Sequence, residues 1–286
     1  MSATTEVRTV VAADTVFLLR EARPQQPAGD VPVLLLHGVP ETASCWRDVA
    51  PAFAGRRVLA PDLPGLGGST SSGPYDVPSV VAKVAALLDA EVDGPVDLAG
   101  HDWGGIIALG LAGLRPDLVR RLAVINAPYR QSAPLWRASY VVFFSLPVLP
   151  EAAFALAGRR IVDLMLTVGW GPGPALDPDR TAEYEAAYSS RTAVRAMLGY
   201  YRAVARPTRG ARRPGAALAA VMPDVHVPGT VVVWGAGDPA LPVSVGEAAV
   251  RDLGADTRMV TIPGAGHFVV EEAPEAVAEV LVDAFR

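Results

Sequence analysis

The chain has 286 residues, 51% hydrophobic and 19% charged, with a formal net charge of −5. That length suits one large α/β domain, the composition can bury a sizeable core, and the acidic balance excludes a general nucleic-acid binder. The single cysteine, Cys45, excludes an intramolecular disulfide and a zinc cluster of thiolates. Met1 to Thr15 carry no basic patch followed by an apolar stretch, so no secretory signal is expected. The longest apolar region, Val141–Ala157, is interrupted by Pro147, Pro150 and Glu151. It is too broken for a membrane span, which needs about 20 apolar residues. The chain reads as a soluble, cytoplasmic globular protein.

In chain order, Val7–Val11 and Val16–Arg20 predict a hairpin around Ala13-Asp14. Val33–Leu36 and Arg57–Ala60 are apolar runs of strand length, ending in His37-Gly38 and Pro61-Asp62. Val80–Leu88 has helical spacing. Val96–Ala99 predicts a strand, the run Ile106–Leu114 a helix, and Leu122–Ile125 another strand. Alternating helices and wholly apolar strands imply a mostly parallel sheet with helices on both faces. From Pro128 to Met222 the pattern is helical without a convincing strand. Strands resume at Thr230–Trp234 and Thr257–Ile262, and a closing helix covers Pro274–Phe285. The expected division is a core of residues 1–127 and 223–286, with an inserted helical cap at 128–222.

Charge divides along the same line. Residues 128–222 carry twelve arginines and six acids, net +6, which leaves −11 for the rest. This is a solvated arginine face or, on a sharper reading, a means of attracting anionic substrates.

The segment from Val96 to Gly105 contains Gly100-His101-Asp102-Trp103-Gly104, a strand-to-helix turn with small residues flanking a central Asp. Such a turn exposes the central side chain above the sheet, at a helix N-terminus that favours negative charge. A carboxylate attacking an acyl carbon would give a mixed anhydride and gain little. Attack on an sp³ carbon gives a stable alkyl ester that water can open later, so the chemistry points to displacement at carbon through a covalent Asp102 intermediate. Opening that ester requires an activated water, hence a histidine backed by a carboxylate. Of the four histidines, His267 follows the last strand in Gly264-Ala265-Gly266-His267, and Asp238 follows the preceding strand in Gly235-Ala236-Gly237-Asp238. His37 and His101, at strand ends, read as structural. The oxyanion formed during ester hydrolysis should face two backbone N–H groups. Trp103, after the nucleophile, supplies one; in the loop His37-Gly38-Val39-Pro40-Glu41, Pro40 cannot donate and Val39 supplies the other. The glycine-rich loop Pro61–Ser69 lacks the lysine of a phosphate loop and reads as scaffold.

The order nucleophile, acid, histidine, with these turns, resembles the α/β-hydrolase superfamily and, within it, the soluble epoxide hydrolases. The likeness runs over nearly the whole chain. It rests on His37-Gly38-Val39-Pro40, Asp62-Leu63-Pro64-Gly65, Gly100-His101-Asp102-Trp103-Gly104-Gly105, Asn126-Ala127-Pro128, Asp238 and Gly266-His267. Haloalkane dehalogenases share these features. The epoxide hydrolases use two cap tyrosines to protonate the epoxide oxygen. Ser139–Pro147 is similar to the first tyrosine segment, with Ser145 where the family often has Gln. Met197–Arg202 is similar to the family's Asn-Trp-Tyr-Arg segment, with Gly199 and Tyr200 in place of Asn and Trp.

The resemblance therefore implies Tyr140 and Tyr201 as proton donors, with Tyr200 the rival to Tyr201. It implies an epoxide hydrolase that needs no cofactor and no metal and acts on a small-molecule substrate; the apolar run Val141–Leu149 suggests a hydrophobic pocket and so a hydrophobic epoxide. Haloalkane dehalogenation with the same Asp/His/Asp machinery is the alternative. Against it, one dehalogenase group has Asn where Val39 stands, and fluoroacetate dehalogenases place arginines where this chain has Ile106, Ile107 and Ala108. A noncatalytic ligand-binding protein of the same fold is the remote third reading. Oligomeric state is not legible.

Overall fold

Short runs of Val, Leu and Ile form the middle of the molecule as strands buried on both faces. The computed structural model describes residues 3–24, 31–130, 139–205 and 216–286. The strands are β1 (Ala3–Ala12), β2 (Thr15–Pro24), β3 (Val33–Leu36), β4 (Val58–Pro61), the two-residue β5 (Thr70–Ser71), β6 (Val96–His101), β7 (Val119–Ile125), β8 (Val231–Gly235) and β9 (Arg258–Ile262). They make one sheet in the order β1-β2-β4-β3-β6-β7-β8-β9, with β5 paired to β2. From β4 to β9 every pairing is parallel, while β1, β2 and β5 add antiparallel pairings at one edge. Every residue of β3, β4, β6 and β8 is buried, as expected for parallel strands covered on both sides. β2 alternates instead, with Phe17, Leu19 and Glu21 inward.

The helices are α1 (Val77–Glu91), α2 (Trp103–Leu114), α3 (Ser139–Ser145), α4 (Leu149–Gly169), α5 (Pro178–Ala187), α6 (Arg191–Ala205), α7 (Ala216–Val221), α8 (Val243–Leu253), α9 (Val269–Glu272) and α10 (Pro274–Ala284). α1 packs on α2, which lies over β3, β6 and β7, and α10 covers β7 together with the 3₁₀ turn Ala50–Phe53. α1 starts three residues earlier than its apolar spacing suggests. Asp76 caps it by accepting from the Ser79 N–H at 3.0 Å, and Pro78 fits the first turn.

α8 was not foreseen. Its sequence Val243-Ser244-Val245-Gly246 reads poorly as helix, yet a Cβ on Gly246 would lie 2.6 Å from the Trp234 ring. Tertiary contact with β8, not helix propensity, sets that residue. The expected helical stretch between β7 and β8 holds α3 to α7 and no strand among its described residues; 131–138 and 206–215 lie outside them. Among the described residues no single helix is long and apolar enough to cross a membrane. Asp102, Asp238 and His267 follow the C-terminal ends of β6, β8 and β9, and Asp102 and His267 share a cavity with residues of α3, α4 and α6.

Candidate active site

The turn between β6 and α2 holds Asp102 at φ 49° and ψ −118°, a region that side-chain-bearing residues rarely occupy. It is possible because the backbones come very close. A Cβ on Gly100 would sit 2.2 Å from the Gly104 carbonyl oxygen, and one on Gly104 would sit 2.2 Å from the Leu36 carbonyl oxygen. The spacing Gly-x-Asp-x-Gly is thus a packing requirement that lifts Asp102 above the sheet.

Each carboxylate oxygen of Asp102 has its own partners. Oδ1 accepts from the Val39 N–H at 3.0 Å, and the Trp103 N–H at the start of α2 helps lower the carboxylate's pKa. Oδ2 lies 3.4 Å from His267 Nε2. On the other side of the ring, His267 Nδ1 is 2.7 Å from Asp238 Oδ2. Asp238 is held in turn: Oδ1 accepts from the N–H groups of Ala240 and Leu241, both at 2.8 Å, and Oδ2 accepts from Asn126 Nδ2 at 2.6 Å. Three strands therefore deliver an Asp–His–Asp line with backbone donors at both ends.

The electrostatics follow from burial and pairing. Burial works against an imidazolium at His267, but the carboxylates of Asp238 and Asp102 outweigh it and hold its pKa well above the ordinary value. Burial likewise opposes ionisation of Asp102 and Asp238, yet the neighbouring His267 draws both below the usual carboxylate range. These directions favour the ion-paired form of the triad over the neutral one.

The two tyrosines come from helices. Tyr140 of α3 and Tyr201 of α6 meet edge to face, ring centroids 6.0 Å apart, and Tyr201 also meets Trp103 edge-on at 5.3 Å. Both line the same cavity as Asp102, Val39 and His267, of about 470 Å³. Its remaining wall is apolar, with Phe143, Phe144, Ile161, Met165 and Phe268 among the contributors. Burial first, and then the Asp102 charge, raise both phenols above the ordinary tyrosine pKa, so both keep their protons at neutral pH. Tyr200 goes elsewhere: its hydroxyl donates to the Pro64 carbonyl at 2.9 Å and its ring stacks on Tyr75. The structure thus brings together Asp102, His267, Asp238, Val39, Trp103, Tyr140 and Tyr201, and leaves Tyr200 outside.

His37 and His101 are tied into the scaffold. His37 Nε2 accepts from the Leu63 N–H at 2.9 Å, and Nδ1 donates to the Gly38 carbonyl at 2.7 Å. In the glycine-rich loop, Asp62 accepts from the N–H groups of Ala43 and Gly68. His101 Nε2 donates to the His267 carbonyl at 2.8 Å, and Nδ1 lies 2.6 Å from Glu41 Oε2.

Sequence reasoning missed the supports behind the triad. Asn126, at φ 41°, clamps Asp238 and accepts from the Gly235 N–H at 2.9 Å. Its position right after β7, in Asn126-Ala127-Pro128, was the available signal. The end of α4 was not legible at all. Gly169 carbonyl oxygen accepts from the His267 N–H, and Glu272 accepts from the N–H groups of Gly171 and Gly266, each at 2.8 Å.

With this geometry in view, the comparisons agree on class. A model of the alpha/beta hydrolase family matches residues 33–280, and the chain belongs to that family. It is 30% identical to Lipase LipV of Mycobacterium tuberculosis, over 89% of this chain and 93% of that protein. It is 28% identical to Epoxide hydrolase A of the same organism, over 93% of both. The solved structure of Cfl2 from Burkholderia cenocepacia superposes with a TM-score of 0.83 at 27% identity, covering 98% of this chain and 95% of that one. The site and the family together define a hydrolase.

Proposed function

We propose that this hydrolase opens a hydrophobic epoxide to a vicinal diol, and that helices α3 to α7 act as a cap carrying the proton donors. The observation that carries the reading is the pair of protonated tyrosines, Tyr140 and Tyr201, in one apolar cavity with the Asp102 carboxylate. An epoxide oxygen leaves as an alkoxide and needs a proton; a phenol held protonated can supply it. The likeness to a lipase does not favour acyl transfer here, because the elbow carries Asp102 where ester hydrolysis needs a hydroxyl nucleophile.

In the first step Asp102 attacks a ring carbon from the side opposite the oxygen. The C–O bond breaks, and a tyrosine proton passes to the leaving oxygen. The product is an Asp102 alkyl ester, a tyrosinate and an alcohol. Esterification removes the negative charge 3.4 Å from His267 Nε2, so the imidazolium loses one of the two carboxylates that held its proton. That proton returns to the tyrosinate through solvent, and His267 becomes the neutral base the second step needs. Water, losing its proton to Nε2, then attacks the ester carbonyl. The oxyanion on the former Oδ1 keeps the Val39 N–H as a donor, with the Trp103 N–H as the second; its collapse breaks the ester C–O bond, and the leaving alkoxide takes the remaining hydroxyl proton, which frees the diol and restores the Asp102 carboxylate. Asp238, pinned by Asn126 and two backbone N–H groups, keeps His267 oriented through both steps.

The test is a product assay with aryl and alkyl epoxides beside matched bromoalkanes. Diol without halide is the expected result. Halide without diol would overturn the proposal in favour of dehalogenation and make the tyrosines packing residues.

A further inference from the structure

A second cavity, of about 480 Å³, lies between α4 and the start of α6. It shares no lining residue with the catalytic pocket. α4 serves both with different side chains: Ala153, Ile161 and Met165 face the catalytic pocket, whereas Ala152, Ala155 and Arg159 face the second. Between them stand aromatic rings. Phe154 lines the second cavity and meets Phe144 at 6.1 Å, and Phe144 meets Tyr201 at 5.0 Å.

The charges of this cavity are unbalanced. Arg159, Arg191 and Arg195 all line it, and among the described residues none of them ion-pairs with a carboxylate. Glu151, the one carboxylate in the lining, is already taken: its two oxygens accept from Arg202 at 2.8 and 2.9 Å. The arginines are also unfavourably placed for the protein alone. Arg191 is the first residue of α6, a cation at the positive end of a helix dipole. Arg195 lies one turn further on, a like-charged pair at i,i+4 spacing. A bound anion relieves both.

The rest of the lining selects the anion. Phe154 and Val194 are buried, and Val148, Ala152 and Ala155 extend the apolar wall. The Tyr188 hydroxyl is turned away, donating to the Glu41 carbonyl at 3.2 Å, and Ser190 Oγ is occupied by the Ala193 N–H. Beyond the arginines and two serines the lining offers an apolar wall, which suits a hydrocarbon better than a sugar or a base. We propose that this cavity is a second ligand site, separate from the catalytic pocket, for a carboxylate carrying a hydrocarbon chain. Arg159, Arg191 and Arg195 hold the carboxylate, and Phe154 and Val194 pack the chain.

Direct binding tests this without reference to the reaction. Decanoate, below its micelle concentration, is titrated calorimetrically into the full chain, with decanol as the uncharged control. In the variant carrying Arg159→Gln, Arg191→Gln and Arg195→Gln, the decanoate Kd should rise about tenfold or more, and decanol binding should not change. Raising salt should weaken decanoate binding to the native chain alone. Ala155→Trp keeps every charge and fills the cavity, so it too should remove decanoate binding. All the substituted positions are exposed, and circular dichroism checks that both variants stay folded. Decanoate binding that survives the arginine changes would place it in the catalytic pocket and overturn the proposal. Arginine-dependent sedimentation with phosphatidylglycerol vesicles, unaffected by Ala155→Trp and without decanoate binding, would overturn it in favour of a lipid-facing surface.

Discussion

The rim of the parallel sheet and the helical segment above it hold their reactive groups by different means. At the rim, Asp102, Asp238 and His267 are each fixed by hydrogen bonds, many from backbone N–H groups at the ends of adjacent strands. In the helices, Tyr140 and Tyr201 are located by ring packing against Phe144, Trp103 and each other. Hydrogen bonds to a rigid sheet fix charge and direction. Aromatic packing fixes the position of each ring. The rim therefore suits the step shared by all substrates, and the helices suit selection among them.

Changes at the rim should be the most severe. Asp102→Asn removes the nucleophile at nearly constant shape, and turnover should fall by ~10⁴-fold or more, with no adduct by mass spectrometry. Turnover near the native rate would end the covalent proposal. His267→Gln should separate the two steps: ring opening survives, ester hydrolysis stops, and about one equivalent of alkyl-enzyme accumulates in intact-mass spectra. A normal steady state would show that another group activates the water.

Changes in the helices should be milder and should fall on the first step. Tyr140→Phe and Tyr201→Phe should each slow single-turnover alkylation by roughly 10- to 10³-fold, without accumulating ester. Tyr200→Phe sharpens the contrast, because it loses only the hydrogen bond to Pro64. It should lower stability by about 1 kcal/mol in chemical denaturation and leave the alkylation rate unchanged. The pH dependence of alkylation checks the same division. Asp102 ionises below the ordinary carboxylate range and the phenols above the tyrosine value. The single-turnover rate should therefore be flat from about pH 5 to pH 9. A limb near neutrality would mean that His267 governs the first step.

The last effect is on stability alone, and it lies where the two regions join. Burial, aided by the Glu41 charge, pushes Glu271 up to about 7 despite hydrogen bonds from Tyr184 and Arg180. A carboxyl with a raised folded-state pKa contributes stability below its unfolded value, and that contribution is lost as pH rises through about 7, amounting to about 3 kcal/mol. Glu271→Gln should raise Tm by a few degrees at pH 8 and have no effect near pH 4.5, read by thermal melts at both pH values.

The sheet was legible because a parallel strand buried on both faces must be apolar throughout. Val33–Leu36 and Val231–Trp234 advertise themselves in that way. Asp102 was legible because its backbone conformation and the close approach of β6 and β3 to the first turn of α2 leave glycine as the only residue that fits at positions 100 and 104. Asp238 and His267 followed from being the reactive groups in turns after successive strands. What such local reasoning could not supply was anything that depends on packing across the chain. Neighbouring tyrosines at 200 and 201 look alike in sequence, and only the rotation of α6 turns one toward Pro64 and the other into the cavity. Asn126, Gly169 and Glu272 acquire their places from partners more than 90 residues away. The second cavity arises only where α4 passes the start of α6. Local periodicity and turn chemistry determine which elements form and which residues end a strand. Side-chain direction, shared cavities and long-range hydrogen bonds are properties of the assembled core, because they depend on distances that no spacing in the chain encodes.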